Sequence, residues 1–298
     1  MIGVSVDVDS IAAHLRGYGR AVNFNCNDPV YCTAIPRLLE VFDRQGIKAT
    51  FFFIADEAKE FPDIVKEIAC RGHEIASHSM THQLLLNLND PETVRRELFL
   101  SKTLLEEISG TDILGFRAPS WSYSPELIDV LAKAGYLYDA SLFPSALMAL
   151  YRLQIVKRSQ NRISSGGSFK ILLSSLRLHF KKASITTIKT VHGNMTEIPV
   201  TTVPLLRFPV YHTFAYVMPL NVFKSLITVS SVRKVRQYVL HASDFLSFKD
   251  DRLDPDIKCH PGMSLPLKEK VGLIEDLLAF ITEREQSVPL KNLCHYNG

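Results

Sequence analysis

Apolar strands alternate with amphipathic helices along the N-terminal half of this chain. Ile2–Asp9 is predicted to be a strand. Ala49–Ile54 is predicted to be a second one, and its lack of polar alternation is typical of a parallel sheet covered on both faces. Between them, Thr33–Gln45 has apolar residues at helical spacing and ends at Gly46, which predicts a helix.

The same alternation continues to about residue 140. The further predicted elements are the helix Phe61–Arg71, the strand Glu74–Ser77, the helix Pro91–Ser109 capped by Asp90, the strand Leu114–Arg117, and a helix that begins at Pro125 behind the cap Ser124. Repeated strand–helix units of this length predict an α/β fold with a parallel sheet, either open or closed into a barrel.

The regular alternation of predicted strands and helices ends after Ser141. Ser159–Gly167 is predicted to be a loop, and Phe169–Phe180 places apolar residues at helical spacing among basic ones. A helix near Asn221–Thr228, a strand at Gln237–His241 and a closing helix at Leu267–Glu283 follow. No internal repeat divides the chain, so we predict one domain over residues 1–298 with a basic insertion or lid at about 145–196.

Charge is polarised along the chain, although the net value is only +3. From Ser141 to Thr196 there are nine Lys or Arg and no Asp or Glu, which leaves 34 − 9 = 25 basic against 31 acidic residues, a net of −6, elsewhere. A basic lid or surface helix near Phe169–Lys182 would meet an anionic lipid carrier, a membrane surface or a charged glycan. The alternative, which we favour because apolar stripes are usually core, is an insertion whose stripe packs on the barrel. No basic–aromatic pattern of a nucleic-acid-binding module is present.

Five cysteines are scattered without a Cys-x-x-Cys pair, which indicates reduced thiols. Cys26 and Cys32 are close enough in sequence to bridge, but we expect both to be free. No secretory signal precedes the first strand, and no apolar run reaches about 18 residues. We therefore expect a cytoplasmic protein that does not span a membrane.

Two short segments supply the pieces of a metal-dependent hydrolase. Asp7 and Asp9 lie two apart at the end of a strand and project to one face, and His78 and His82 would share a face in a helical turn. Asp9 and the two histidines can form a two-histidine, one-carboxylate set that leaves coordination positions open for water and substrate. Asp7 then remains as a general base.

Five segments, in order along the chain, resemble those of the polysaccharide deacetylases, the NodB-homology or carbohydrate esterase family 4 superfamily. They are Val6-Asp7-Val8-Asp9, the segment Gly72-His73-Glu74-Ile75-Ala76-Ser77-His78-Ser79-Met80-Thr81-His82, Phe116-Arg117-Ala118-Pro119-Ser120-Trp121, Tyr138-Asp139-Ala140-Ser141-Leu142, and Tyr238-Val239-Leu240-His241. The second segment is the strongest match. The last, a strand that ends in a histidine, is the least specific.

The resemblance implies a distorted (β/α) barrel, often of seven strands, with one divalent metal at the strand C-termini. It implies Asp7 as the catalytic base, oriented by Arg117, and Asp9, His78 and His82 as metal ligands. It further implies His241 as the general acid, and substrate binding by the Pro119-Ser120-Trp121 segment, where a backbone N–H near Ser120 would stabilise an oxyanion. Zn is the ion we expect first, although Co, Mn, Ni and Fe suit the same donors.

The resemblance implies removal of an N-acetyl group from a sugar, be it a glycan or a lipid- or nucleotide-linked precursor. Relatives with this form of the first motif also act on small amides, so a small, even cyclic, amide or a formyl group is the alternative. A non-catalytic glycan-binding module is a third possibility. Ser120 stands where the family often has Tyr, and residues 11–30, a longer stretch than in compact members, are expected to overhang the site.

Several further polar residues have two interpretations each. His260 rivals His241 as general acid, although His241 ends a predicted strand. His73 is expected to be structural. Trp121 is either a sugar-stacking platform or core. Glu197 could bind substrate or lie at a sheet edge, and Asp244 could cap a helix.

Overall fold

The computed structural model describes residues 1–158, 172–173 and 175–295. Nine strands lie within these residues: β1 (Ile2–Val8), β2 (Thr50–Phe53), β3 (Glu74–Ser77), β4 (Gly115–Phe116), β5 (Tyr138–Asp139), β6 (Thr186–Thr190), β7 (Gly193–Glu197), β8 (Arg236–His241) and β9 (Ser287–Val288). The main helices are α1 (Ile11–Gly17), α2 (Ile35–Arg44), α3 (Ala55–Ala58), α4 (Pro62–Cys70), α5 (Pro91–Ser109), α6 (Pro125–Lys133), α7 (Leu147–Arg158), α8 (Leu220–Ser230) and α9 (Leu267–Thr282).

The strands form one curled sheet in the order β6-β7-β5-β4-β3-β2-β1-β8, with β9 added beside β1. Neighbouring strands are parallel throughout the series β7-β5-β4-β3-β2-β1-β8. Only β6 is antiparallel to its neighbour, with which it forms the β6–β7 hairpin. Seven parallel strands therefore make the curved wall. The expected α/β fold with a distorted barrel is confirmed, in the form of a half-barrel.

The two faces of the sheet have different residues because side chains alternate along each strand. Val4, Val6 and Val8 of β1 point to the outer helices and join the main core. Ser5 and Asp7 point to the inside of the half-barrel, where both are buried. Polar groups inside the barrel can be buried because they bond to one another, and this interior leads to the C-terminal ends of the strands.

The gap between β7 and β8 is bridged by side chains. The backbone N–H of Gln237 donates to Thr201 Oγ1 (2.9 Å), and its side-chain amide donates to the Ile198 carbonyl (2.7 Å). At the other end of the barrel, Leu290 and Leu293 pack against Gly3, where a Cβ would lie 2.3 Å from Leu290 Cδ2. The lower end is thus plugged, and the open end lies at the strand C-termini.

The predicted elements agree closely with the observed ones in the N-terminal half. The helix Pro91–Ser109 has the predicted bounds, with Asp90 accepting from Thr93 N at its start and Gly110 left-handed at its end. The predicted helix Thr33–Gln45 instead begins with a π-helical turn, Val30–Ala34, before α2. The stretch 11–30 contains α1, a helix that the sequence analysis did not predict.

The basic segment has three described parts. It begins with α7, continues with helical residues at 172–173 and 175–178, and ends in the β6–β7 hairpin, whose second strand belongs to the main sheet. The loop predicted at Ser159–Gly167, and residues 169–171 and 174 of the predicted amphipathic stretch, lie outside the described residues. The interpretation that the apolar stripe packs on the barrel is wrong for Leu173, Leu176 and Phe180, which are exposed.

No helix within the described residues is long and apolar enough to cross a lipid bilayer.

Replacement of Gly115 in β4 tests the packing below the site. A Cβ at this position would lie 2.1 Å from the ring of Tyr138, which is fully buried and donates to Glu74 (3.1 Å). We expect Gly115→Ala to lower the free energy of unfolding by about 1–3 kcal/mol, as measured by chemical denaturation. The matched control is Gly272→Ala in α9, where no atom lies within 4 Å and where the variant should be as stable as the wild type or about 0.5–1 kcal/mol more stable. Equal stability of the two variants would contradict this packing.

Candidate metal centre and active site

The two aspartates stand at the open end of the half-barrel because β1 ends there. Asp7 pairs in register with Phe52 of β2 and with His241 of β8, and Asp9 follows directly after the strand. Both carboxylates are buried. The predicted projection of Asp7 and Asp9 into one site is therefore what the strand geometry produces.

His78 and His82 reach the same place by a different route from the expected helical turn. His78 follows β3, and the chain from His78 to His82 is a non-helical turn with positive φ at Ser79 (70°) and His82 (60°). The carboxylate of Glu97 on α5 holds this turn, since it accepts from Met80 N (2.9 Å) and Thr81 N (2.8 Å). Glu97 is a supporting residue that sequence reasoning missed, because a glutamate within an amphipathic helix gives no signal of its own.

Asp9, His78 and His82 form a compact set of three donors. Asp9 Oδ1 lies 3.4 Å from His78 Nε2 and 3.5 Å from His82 Nε2, and one candidate ligand atom from each residue lies within 4.8 Å of the others. Asp9 Oδ1 has no hydrogen-bond donor among the described residues although it is buried. An orphaned carboxylate oxygen between two imidazoles fits a divalent cation of the Zn type.

The tautomer of His78 supports the same interpretation. Its Nδ1 lies 2.6 Å from the Arg117 carbonyl oxygen, which can only accept, so Nδ1 donates and Nε2 keeps its lone pair towards Asp9. Burial lowers the pKa of His78 to about 4 and that of His82 well below its usual value. Both imidazoles are therefore neutral at pH 7, which is the form that binds metal.

The two carboxylates differ in their electrostatic surroundings. Burial would raise the pKa of Asp7, but the Arg117 guanidinium, together with His78 and His241, outweighs it, so the pKa lies below its ordinary value. Arg117 Nη1 donates to Asp7 Oδ1 (2.5 Å). Burial, and then the nearby charges of Asp7 and Glu57, raise the pKa of Asp9 well above its ordinary value. A cation beside Asp9 would relieve this repulsion, whereas Asp7 is already compensated.

His241 lies on the same side of the site as the metal donors. Its Nε2 is 3.7 Å from Asp9 Oδ2, and the Tyr211 hydroxyl lies 3.0 Å from its Nδ1. Asp244 accepts from the His241 backbone N–H (2.8 Å) as the third residue of the short helix Ala242–Phe245, whose N-cap is His241. The expected capping role of Asp244 is therefore found in the form of a capping box.

His260 stands farther out. Its Nδ1 contacts the Tyr18 hydroxyl (2.9 Å), and its ring centroid lies 6.1 Å from that of His241. Burial, together with the neighbouring His14 and His241, lowers the pKa of His260 well below its usual value. His241, with Nε2 3.7 Å from Asp9 Oδ2, lies beside the metal donors, and this position is the geometric reason to prefer it to His260 as candidate general acid.

A cavity of about 380 Å³ opens above these groups. Its floor holds Asp7, Asp9, His78, His82 and His241. The predicted binding residues Ser120 and Trp121 line one wall, in a turn where both have positive φ (53° and 55°), while Pro119 is buried behind them. Trp121 packs edge-on against Phe143 and Tyr211 (centroids 5.3 and 5.9 Å apart). Trp121 thus belongs both to a small aromatic cluster and to the cavity wall.

Two further walls come from helices that do not belong to the motifs. From α1, His14 and the following Tyr18 line the cavity, so the expected overhang is found for the first part of the 11–30 stretch, whereas residues 19–30 do not line the cavity. His14 is buried, its Nε2 has no hydrogen-bond partner among the described residues, and its ring lies 4.4 Å from that of His260. From α7, Leu147, Met148 and Tyr151 line the opposite side. Sequence reasoning missed these residues individually, since nothing in their local pattern points to a cavity.

Two other candidates lie away from the cavity. His73 Nδ1 accepts from Ala49 N (3.2 Å), which is the structural role that was expected. Glu197 lies at the end of β7, where its carboxylate accepts from Leu142 N (3.1 Å) and neighbours Asp139. Glu197 is therefore a buried sheet residue that does not line the cavity.

A sequence model of the polysaccharide deacetylase family matches residues 22–138. The chain is 28% identical to the peptidoglycan deacetylase of Helicobacter pylori over 156 residues, which cover 51% of this chain and 52% of that protein. It is 34% identical to a peptidoglycan deacetylase-like protein of Gibberella zeae over 147 residues, 47% of this chain and 43% of that protein. The chain thus spans about half the length of these curated relatives.

Solved structures show the same fold at lower identity. A Mycobacterium smegmatis protein assigned as a polysaccharide deacetylase aligns with 98% of this chain and 88% of its own, with a TM-score of 0.61 and 17% identity. PuuE allantoinase aligns with 98% of this chain and 88% of its own, with a TM-score of 0.60 and 13% identity.

The resemblance to polysaccharide deacetylases is confirmed. The family match includes His78, His82 and Arg117, whereas Asp7, Asp9 and His241 lie outside it.

A buried lysine supports the His241 segment and gives a pH test. Lys270 on α9 donates to the Leu246 carbonyl (2.7 Å), and burial lowers its pKa from 10.5 to about 8. Between these two values the unfolded chain binds more protons than the folded one, so Lys270 makes stability rise with pH. From pH 7 to pH 10 its contribution to the free energy of unfolding should grow by about 2–3 kcal/mol.

The measurement is urea unfolding of wild type and Lys270→Met at several pH values from 7 to 10. The stability difference between the two proteins should change by that amount, because the variant lacks the titrating group. Lys268→Met, at an exposed position two residues earlier, should follow the wild type at every pH. Parallel curves for wild type and Lys270→Met would mean that Lys270 keeps its ordinary pKa.

Proposed function

We propose, from the premise that the chain resembles the polysaccharide deacetylases in sequence and fold, that this protein is a metal-dependent deacetylase that removes an N-acetyl group from a sugar. The observation that supports this most directly is the meeting of Asp9, His78 and His82 beside the Asp7–Arg117 pair on the floor of one cavity. The relatives named as peptidoglycan and chitooligosaccharide deacetylases give the substrate class.

The chain's own residues divide the proton transfers of amide hydrolysis. Asp7, held ionised by Arg117, takes a proton from the attacking water. His241 gives a proton to the departing amine from its place on the cavity floor beside Asp9. The turn at Ser120 and Trp121 brings backbone to the cavity wall, where an N–H can stabilise negative charge on the acyl oxygen.

Asp9, His78 and His82 would hold the divalent ion, with Zn the first choice from this donor set. Such an ion lowers the pKa of water and polarises an acyl carbonyl. The neutral imidazoles and the uncompensated Asp9 carboxylate are the features of the chain that suit it.

The cavity has the size and surface of a site for a sugar or another small ligand. A volume of about 380 Å³ is at the lower end of ordinary ligand pockets. Trp121, Phe143 and Tyr211 provide aromatic edges and faces for an apolar sugar face or an acetyl methyl group.

The five cysteines are all free, which supports a reducing compartment such as the cytoplasm.

Hydrolysis of a small, even cyclic, amide is the second candidate. The observation that favours it is the covering of the cavity by α1 and α7, because walls on opposite sides leave less room for a long polymer than an open groove does. Acetate release from N-acetylated chitooligosaccharides, compared with ring opening of cyclic amides by the same preparation, discriminates the two.

Metal content tests the proposed centre. After loading with Zn and removal of free metal, we expect the wild type to hold about one equivalent and the His78→Ala/His82→Ala variant to hold none, because two of three donors are lost. The measurement is elemental analysis by mass spectrometry. The matched control is His192→Ala/His295→Ala, at two exposed histidines, which should bind like the wild type. Equal metal in all three proteins would place the ion elsewhere.

Asp7→Asn separates an enzyme from a glycan-binding module. The asparagine keeps the size of the side chain but cannot accept a proton, so kcat/KM for deacetylation should fall at least about 10²-fold while bound metal stays near one equivalent. A binding module would show no turnover in the wild type and the same glycan affinity in both proteins. Full activity of the variant would remove Asp7 from the role of base.

A further inference from the structure

Helix α7 turns apolar residues towards solvent beside the cavity. Leu147, Leu150 and Tyr151 are 36%, 58% and 42% exposed, whereas Met148 and Ala149 between them are buried. Positions 147, 150 and 151 lie on one face of a helix. Leu147 and Tyr151 also line the cavity, so this face leads directly to its mouth.

The described residues at 172–173 and 175–180, helical as far as Leu178, repeat the arrangement. Leu173, Leu176 and Phe180 are 42%, 38% and 82% exposed, while Ser175 and Leu178 face inwards and are buried. A helix that only packs on the barrel would bury all its large apolar side chains, whereas this segment buries Leu178 and leaves three others exposed. We call the six exposed side chains of α7 and this segment, Leu147, Leu150, Tyr151, Leu173, Leu176 and Phe180, the outward helical surface.

Arg152 connects α7 both to the segment that contains Ser175 and to Trp121 in the cavity wall. It is buried, and its guanidinium donates to Ser175 Oγ (3.2 Å) and to the Trp121 carbonyl oxygen. Its partners within the described residues are thus a hydroxyl and a carbonyl oxygen, and burial lowers its pKa to about 10. The outward helical surface is therefore fixed relative to Trp121.

Exposed cations border the apolar side chains. Arg177 lies between Leu176 and Phe180, and Lys181 and Lys182 follow directly; all three are exposed. The whole segment from Ser141 to Thr196 has nine Lys or Arg and no acidic residue, while the rest of the chain has a net charge of −6. An anionic surface would attract this segment and repel the remainder, which orients the molecule.

We propose that the outward helical surface docks on an anionic lipid bilayer and holds the cavity mouth at the membrane interface. Apolar side chains bordered by Lys and Arg are the composition of interfacial helices, whose apolar face enters the headgroup region while the cations meet lipid phosphates. This inference rests on the proposed function for its consequence: the substrate would be an N-acetylated sugar linked to a lipid.

Two other occupants fit the surface less well. In a twofold dimer through this face, the basic residues of the two copies would oppose each other without a single acidic partner from Ser141 to Thr196. A nucleic acid would match the charge but would leave Leu173, Leu176 and Phe180 without an apolar partner.

Vesicle sedimentation of the full chain, without substrate, tests the proposal. The wild type should bind vesicles of phosphatidylcholine with 30% phosphatidylglycerol (about a third of the lipid, enough to give a strong surface potential) and should bind pure phosphatidylcholine much more weakly. Lys181→Gln/Lys182→Gln should lower the partition coefficient about 25-fold, at about five-fold for each charge removed. Leu176→Asn/Phe180→Asn should lower it at least about ten-fold.

Matched variants on other surfaces serve as controls. Lys66→Gln/Lys268→Gln removes two exposed charges, and Leu205→Asn/Leu206→Asn removes two exposed leucines outside this surface; both should bind like the wild type. His78→Ala/His82→Ala should also bind normally, so failure of the hydrolase mechanism would leave this result unaffected. Absence of wild-type binding, equal binding by every variant, or a dimer in solution that the Leu176→Asn/Phe180→Asn variant abolishes would each overturn the proposal.

Discussion

The fully buried guanidinium of Arg117 is the interaction on which the interior of the half-barrel depends. It donates to Asp7 and Ser5 of β1 and to Gln237 of β8, and it lies 4.0 Å above the Phe52 ring of β2. A charge buried without compensation would cost several kcal/mol, so the Asp7 carboxylate contributes to the stability of the fold as well as to the proposed chemistry. The same ion pair that connects the strands keeps the candidate base ionised.

Arg117 also acts through its backbone. Its carbonyl oxygen accepts a hydrogen bond from His78 Nδ1 and thereby turns Nε2 towards Asp9. Its side chain donates a hydrogen bond to Asp7 Oδ1. One residue thus gives different electrostatic surroundings to two carboxylates that are only two positions apart. Asp7 is compensated by a fixed cation, whereas Asp9 keeps an oxygen with no donor among the described residues. This asymmetry is what a mononuclear metal centre with a separate base requires.

The floor of the site could be predicted from the sequence because it follows from strand geometry. Asp7 and Asp9 project together as residues two apart must at a strand end, and His241 ends the neighbouring strand as expected. The turn at His78–His82 could not be predicted, since its positive φ values depend on Glu97, nineteen positions from His78 and on another element. The supporting partners of Arg117, Ser5 and Gln237, likewise became visible only when the strands were placed side by side.

The walls of the site, and the exposed segment beside them, were harder to predict than the floor. Helical periodicity identifies an apolar stripe but not the direction in which it faces, and the usual assumption placed Leu173, Leu176 and Phe180 against the barrel. The absence of acidic residues in the same segment was the independent signal, because a stripe bordered only by cations suits an interface better than a core. Both covering helices, α1 and α7, lie outside the region that matches the deacetylase family. His78, His82 and Arg117 lie inside that region, whereas Asp7, Asp9 and His241 lie outside it. The family match therefore covers part of the floor of the site and neither of the helices that cover it.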